Sequence, residues 1–213
     1  MIVEFIMKIL LIRSIFIVAI LLPFSAVSQE SEWELKKEKD GITIYTRSVE
    51  NSNIHEFKAS TKISSSAETI FNIILDVENY TKWIEDVKYS EKLYHEENQI
   101  GMYYQLGLPW PIQDRDITLI SVYEELPDNA ILFQLSNSSS LKKEDEDFIR
   151  IKDIRGRWLI KPIDKEHCEV TYQFLADPEG SLPAWVINIF VVDGPFKTLQ
   201  NLDDYAKVII NQE

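Results

Sequence analysis

An α+β fold, a strongly curved antiparallel sheet with helices on one side, is predicted by three observations. The elements run in the order strands, short helix, long run of strands, long C-terminal helix, which segregates helix from sheet. The strands have one apolar and one polar face. Val170, Tyr172 and Phe174 alternate with Glu169, Thr171 and Gln173, and Ile131, Phe133 and Leu135 oppose Leu132 and Gln134; a sheet covered on a single side needs this pattern. The last segment supplies the cover. From Leu182 to Val192 only Pro183 and Asn188 interrupt an apolar run, so this half should be enclosed on nearly every side. Asp193-Gly194-Pro195 then predicts a break or kink. Beyond it Phe196, Leu199, Leu202, Ala206 and Ile209 recur at helical spacing, with Lys197, Gln200, Asp203, Asp204 and Lys207 on the other face. An apolar half-helix needs more than one sheet face: a second protein layer, a bilayer or an enclosed ligand.

Taken in order, residues 1–28 read as a signal peptide. Lys8 and Arg13 precede the apolar run Ser14–Leu22, and Ala26-Val27-Ser28 places small residues where a signal peptidase cleaves. A start at Met7 leaves a leader of the same kind. The alternative is an uncleaved anchor, but the run falls short of the ~20 residues of a spanning helix. No Cys follows the cleavage site, so lipid modification there is not expected, and the chain should be exported.

Residues 29–213 form one domain in this reading. Trp33–Lys36 and Ile42–Tyr45 alternate as strands about the turn Lys39-Asp40-Gly41. Ile54–Ile63 alternates too. Ser65 and Glu68 are spaced as a capping box for a short helix whose stripe is Ala67, Ile70, Phe71, Ile74 and Leu75. Asp76–Trp83 is its exit loop. Strands follow at Val87–Tyr94, Ile100–Leu106, Asp116–Tyr123, Ala130–Asn137, Phe148–Lys161 and Cys168–Ala176, and Ser138–Asp147 is a solvated loop. There is no internal repeat and no linker.

The 213-residue chain has 22 basic and 35 acidic residues. Without the leader's Glu4, Lys8 and Arg13 it keeps 20 and 34, a net charge of −14. That excludes nucleic acid as a partner and argues against electrostatic capture by anionic bilayers. The single cysteine, Cys168, rules out an intrachain disulfide, and its strand pattern makes it buried and inert. His55, His95 and His167 have no ligand spacing, so no metal site and no cofactor is expected. The nucleophile-elbow, phosphate-loop and dinucleotide signatures are absent.

The densest local signal is Leu108-Pro109-Trp110-Pro111-Ile112-Gln113-Asp114-Arg115-Asp116. Two prolines deliver the chain into a strand that starts with charges. If Ile117 and Leu119 face the core, parity puts Arg115 on the same inner face, where a guanidinium needs a carboxylate or several acceptors. The alternative sets Arg115 in water at the strand mouth, paired with Asp114 or Asp116. Tyr103 and Tyr104 straddle a strand, so one of them faces inward; packing is its first role and a hydroxyl contact to a ligand its second.

These residues resemble a known family. Leu108–Asp116 is similar to the P-x-x-x-R-D strand opening of START domains, the steroidogenic-acute-regulatory-related lipid-transfer modules. Ala176–Asn188 resembles the opening of their last helix, and Lys39-Asp40-Gly41-Ile42 and Tyr80-x-x-Trp83 stand where START sequences carry Gly and Trp. The likeness spans Trp33 to Ile210.

The resemblance implies a helix-grip fold, a curved antiparallel sheet wrapped around the long C-terminal helix with a deep hydrophobic cavity inside. It implies that Arg115 points into that cavity beside an acid, which by spacing is Glu96, or Glu97 if the register shifts by one. The expected ligand is a lipid or sterol-like molecule, bound for transport or sequestration by a monomer that touches membranes at most transiently. Arg115, Glu96 and Tyr104 are the expected polar contacts. Ile117, Leu119, Phe133, Trp158, Ile160, Tyr172 and Phe174 are expected on the wall, and Trp185, Ile189 and Val192 on the helix side. The chain is read as a non-enzyme. The rival readings are a cyclase or hydrolase of a hydrophobic substrate, and an envelope protein whose cavity is filled by its own side chains.

Overall fold

A computed structural model describes residues 32–49, 55–180 and 182–211. The expected leader, residues 1–28, lies outside the described residues. Glu34–Lys39 (β1) and Ile42–Ser48 (β2) form a hairpin in which Asp40 (φ 53°) and Gly41 (φ 77°) are the two loop residues. Positive φ at both marks a type I′ turn, matching the strand twist. His55–Ile63 (β3) pairs with β2 and ends before the bend at Ser64. The helix Ala67–Leu75 (α1) follows, with Ile70, Ile73 and Ile74 buried. Its cap is one residue later than the expected Ser65. Ser66 has the extended backbone of an N-cap and its Oγ accepts from Thr69 N at 3.0 Å. The expected exit loop coils into a 3-10 helix, Val77–Lys82, that buries Tyr80.

Next come Val87–Glu96 (β4), Gln99–Leu106 (β5), Arg115–Glu125 (β6) and Ile131–Asn137 (β7). The expected strand 148–161 is two strands, Ile149–Arg150 (β8) and Ile154–Pro162 (β9). β8 pairs parallel with β6 and β9 antiparallel with β7, so both run in the direction of β6, and residues 151–153 carry the chain sideways from the flank of β6 to the flank of β7. Cys168–Ala176 (β10) completes the sheet in the order β1-β2-β3-β10-β9-β7-β6-β5-β4, with β8 beside β6. The sheet is antiparallel apart from β8.

Ala184–Asn188 (α2) and Gly194–Ile210 (α3) are joined by the π-helical turn Ile189–Asp193. The expected break is therefore a widened turn in a continuous helix. Its cause is local. Pro195 has no N–H and its ring would strike the carbonyl four residues back, and the Gly194 N–H reaches Ile189 O, five residues back. A Cβ on Gly194 would lie 2.8 Å from that oxygen, so glycine is required there. α3 buries Phe196, Leu199, Leu202 and Ala206, as its spacing predicts. Among the described residues no helix is long and apolar enough to cross a membrane.

Candidate functional site: a cavity between sheet and helix

The sheet and the C-terminal helix enclose a cavity of about 700 Å³, counting the part open to solvent. Each strand lines it only near one end. On β10 these residues are Tyr172, Phe174 and Ala176; on β5 and just beyond, Tyr104, Leu106 and Leu108; on β6, Ile117. All lie toward the loop 107–114 and the segment 177–180. One step inward, Val170, Met102 and Leu119 are buried in the packed core. The helix contributes Ile189, Phe190 and Val191 from the π turn, then Gly194, Pro195 and Thr198. His55 and Phe57 of β3, Ile84-Glu85-Asp86 and Ile151 complete the wall.

Aromatic rings close the inner end. Tyr104 contacts Tyr80 at 6.3 Å between centroids, Tyr80 contacts Trp83 at 5.2 Å, and Trp83 contacts Trp158 at 5.7 Å. Trp158 stacks parallel on Tyr172 at 3.9 Å. These edge-to-face and stacked geometries are the favoured ones and hold the rings rigidly. The Tyr80 hydroxyl donates to Ile74 O at 2.7 Å. Those of Tyr104 and Tyr172 make no hydrogen bond among the described residues. Burial raises the pKa of Tyr104, and burial with the neighbouring phenols Tyr104 and Tyr80 raises that of Tyr172 well above its ordinary value. Both stay neutral.

The structure redistributes the expected site residues. Tyr104, Ile117, Tyr172, Phe174 and Ile189 line the cavity. Leu119, Phe133, Trp158 and Ile160 belong to the packed core instead; Phe71 of α1 covers Phe133 at 5.6 Å. Val192 is also core, and Trp185 is 52% exposed, so the apolar half-helix is not enclosed on every side. Arg115 is buried, but its donors end on backbone. Nε donates to Pro178 O at 2.9 Å, Nη2 to Glu179 O at 3.0 Å and Nη1 to Gln113 O. The expected pair with Glu96 does not form. Glu96 is exposed beside the β4–β5 turn, in register with Gln99, and β6 pairs Val122 with Gln99 but Arg115 with Leu106. Seven residues of strand, ~23 Å, separate the two levels. Glu97 is the turn residue, with φ 52°.

The three charges at the start of β6 each fix a different segment. Asp114 accepts from Leu108 N at 2.8 Å and Lys88 Nζ at 3.1 Å, which folds the loop 107–114 back on itself. Arg115 grips the loop after β10, where Glu179 N donates to Asp177 Oδ1 and Glu179 takes φ 57°, turning two successive carbonyls to one guanidinium. Asp116 points to the opposite sheet face and meets Arg150 in a buried two-point ion pair, both bonds 2.7 Å. Arg150 also donates to Lys142 O at 3.0 Å, pinning the segment 138–150 across the sheet. Sequence reasoning missed this pair.

Two clusters of polar contacts fasten the helix. On one side Lys37 Nζ meets Asp193 Oδ1 at 3.0 Å and lies 4.1 Å above the Phe196 ring. On the other, the Glu85 carboxylate accepts from Lys197 at 2.7 Å and Asn201 at 3.3 Å, and its N–H donates to Thr198 Oγ1 at 3.1 Å. Leu106, Leu108 and Ala176 were legible from the parity that found Tyr104 and Tyr172. Ile84–Asp86 and Ile151 sit outside regular strands and carried no periodic signal.

The model of the START domain family matches residues 25–204. An uncharacterized protein of Pseudomonas aeruginosa is 31% identical over 176 residues, covering 83% of this chain and 87% of its own length. The phosphatidylcholine transfer protein of Rattus norvegicus is 25% identical over 165 residues, 74% of this chain and 76% of that protein. The crystal structure of a STAR-related lipid transfer protein from Xanthomonas axonopodis has a TM-score of 0.76 at 31% identity, covering 82% of this chain and 98% of that one.

Proposed function

The chain belongs to the START domain family, and on that premise we propose that it binds a lipid or sterol-like molecule in the cavity, for transfer or sequestration and without chemical conversion. The observation that carries this reading is the cavity wall: leucine, isoleucine, phenylalanine and tyrosine side chains from the sheet face an apolar helical turn. Apolar area removed from water there contributes ~25 cal/mol per Å², and a few polar groups suffice to orient the ligand. Relatives named for phosphatidylcholine transfer and STAR-related lipid transfer support the ligand class. A carrier also accords with the polar groups at the inner end, neutral phenols, and with Cys168, whose thiol burial pushes up to about 12 with the Asp203 charge adding to it.

Membrane contact in this reading is brief and made through Trp110, 92% exposed in the loop 107–114, and Trp185, 52% exposed on α2. Indole rings favour the headgroup level of a bilayer. Export with cleavage after Ser28 is part of the same proposal; N-terminal sequencing of the exported protein that returned Gln29 would support it, and Met1 or Met7 would reject it. The deciding experiment is extraction of the natively produced protein and mass spectrometry of what leaves the cavity. A lipid in near-stoichiometric amount is expected, and its consistent absence from purified, folded protein would refute stable binding.

A further inference from the structure

The outward face of the sheet, opposite the cavity, carries charge of the sign that the chain as a whole lacks. Across β2, β3, β10 and β9 it presents Arg47, Lys58, Lys62, Arg155, Arg157 and Lys161, and the only acids on these strands are Glu56 and Glu169. That is a surplus of four positive charges in a chain whose total is −13. Parity sets the direction. Phe57, Trp158 and Phe174 point into the core, so Lys58, Arg157 and Gln173, in register across β3, β10 and β9, point out.

A buried carboxylate positions two of these cations. Glu56, 5% exposed, accepts from Arg47 Nε at 2.6 Å and from Gln173 Nε2 at 2.6 Å, and Gln173 Oε1 accepts in turn from Arg157 Nε at 3.1 Å. Lys58 Nζ lies over the rings of Trp33 and Tyr45, 4.5 and 5.4 Å from their centres. Among the described residues neither Lys58 nor Arg155 has an ion-pair partner, and Arg157 has no carboxylate one. Arg155 and Arg157 stand two residues apart on β9, ~6.8 Å, which is the repeat of alternate side chains in any extended chain. Lys58 is two strands away, ~9.6 Å. Like charges at this spacing repel, and an anion with carboxylates at the same repeat relieves them.

Two features select a narrow acidic segment over an anionic bilayer. A bilayer would face the whole molecule, whose remaining surface is strongly negative, whereas a segment lying along β9 meets the patch alone, since screening confines its field to ~10 Å. The aromatic rings of this face, Trp33 and Tyr45, are half-buried beneath Arg47 and Lys58 and so are not presented for insertion. We propose that the outward face of β3, β10 and β9 docks an extended acidic segment of a partner protein, its alternate carboxylates paired with Arg155 and Arg157 and flanked by Lys58. The cavity lies on the other side of the sheet, so the docked partner leaves its loop end uncovered.

The test measures anisotropy of two labelled peptides of equal length and charge, one of alternating Glu-Ser repeats and one with a Glu block followed by a Ser block. Each is titrated with the full exported chain at low salt, ~20 mM, and again at ~150 mM, where both should bind more weakly. The alternating peptide places all its carboxylates on one edge when extended, so the parent should bind it several-fold more tightly than the block peptide. Arg155→Glu with Arg157→Glu should weaken it by about tenfold or more, two exposed ion pairs being lost and repulsion added. Lys58→Gln, which leaves the Glu56 network in place, should weaken it by about threefold. Lys39→Glu with Lys143→Glu makes the same change in net charge away from this face and should leave the affinity unmoved. Equal affinity for the two peptides, an equal loss in the Lys39–Lys143 variant, or no binding at low salt overturns the proposal. So does binding of the parent to phosphatidylglycerol vesicles, lost in the Arg155–Arg157 variant, when neither peptide competes for it; that result makes the face a bilayer contact. None of these outcomes bears on the lipid-cavity reading.

Discussion

Arg115 and Arg150 are both buried guanidiniums, satisfied by different means. Arg150 meets the Asp116 carboxylate, so removing one partner strands the other. Asp116→Leu should lower stability by ~3–5 kcal/mol, and adding Arg150→Leu should restore much of it. Arg115 donates to carbonyls that have no side chain to delete. Arg115→Met should lower stability by ~1.5–3 kcal/mol through lost charge-assisted hydrogen bonds. A cycle with Glu96→Leu should show no coupling beyond ~0.5 kcal/mol. Urea titrations of the five variants decide all of this; strong Arg115–Glu96 coupling would contradict the structure. Parity in the sequence left Arg115 either on the inner face or in water at the strand mouth, and the structure buries it. Its acceptors were not legible, because backbone carbonyls leave no mark on residue identity. The Asp116–Arg150 pair was hidden differently: its members are 34 positions apart, and the intervening serines, lysines and acids read as solvent-facing loop.

At the scale of elements, the strands were legible wherever alternation ran unbroken and failed where the chain steps sideways from one neighbour strand to another. Phe148–Lys161 looked like one strand because Ile149, Ile151 and the residues after Ile154 are all apolar or mixed. Only the pairing of β8 with β6 separates them. The helix junction was legible as a disturbance, not as a π turn. Gly194→Ala places a methyl 2.8 Å from Ile189 O. It should lower stability by ~1–3 kcal/mol, in the range of overpacking, and displace Ile189–Val191 at the cavity wall. Thermal melts together with the rate of ligand exchange would test this; an unchanged pair of values would show that the wide turn has room. The loop 107–114 carries a pH dependence. Burial pushes the Asp114 carboxyl up, but the Leu108 N–H and Lys88 outweigh it and hold its pKa below the usual carboxylate value. Its contribution is therefore fully present above the unfolded value of ~3.9 and is lost as pH falls through the lower folded value. Comparing urea stability across pH 2–6 should show a smaller acid loss in Asp114→Asn than in the parent.

For the whole molecule, the inner end of the cavity sets a length. From Ala176 to Tyr172 is four steps of strand, ~13 Å, and beyond Tyr172 the interior is packed with the rings of Trp158, Trp83 and Tyr80. A wall of stacked indole and phenol does not yield to one more methylene as an alkyl-lined pocket would, since repacking it would break several ring contacts at once. The protein should therefore act as a gauge. Along a series of 1-alkanols, each added carbon should improve affinity by ~0.8 kcal/mol while it is still buried. Past a threshold chain length the gain should stop, because the surplus carbons extend beyond Glu85 and Asp86 into water. A series from hexanol to hexadecanol would locate that threshold, and Trp158→Ala, by opening space behind Tyr172, should shift it to longer chains.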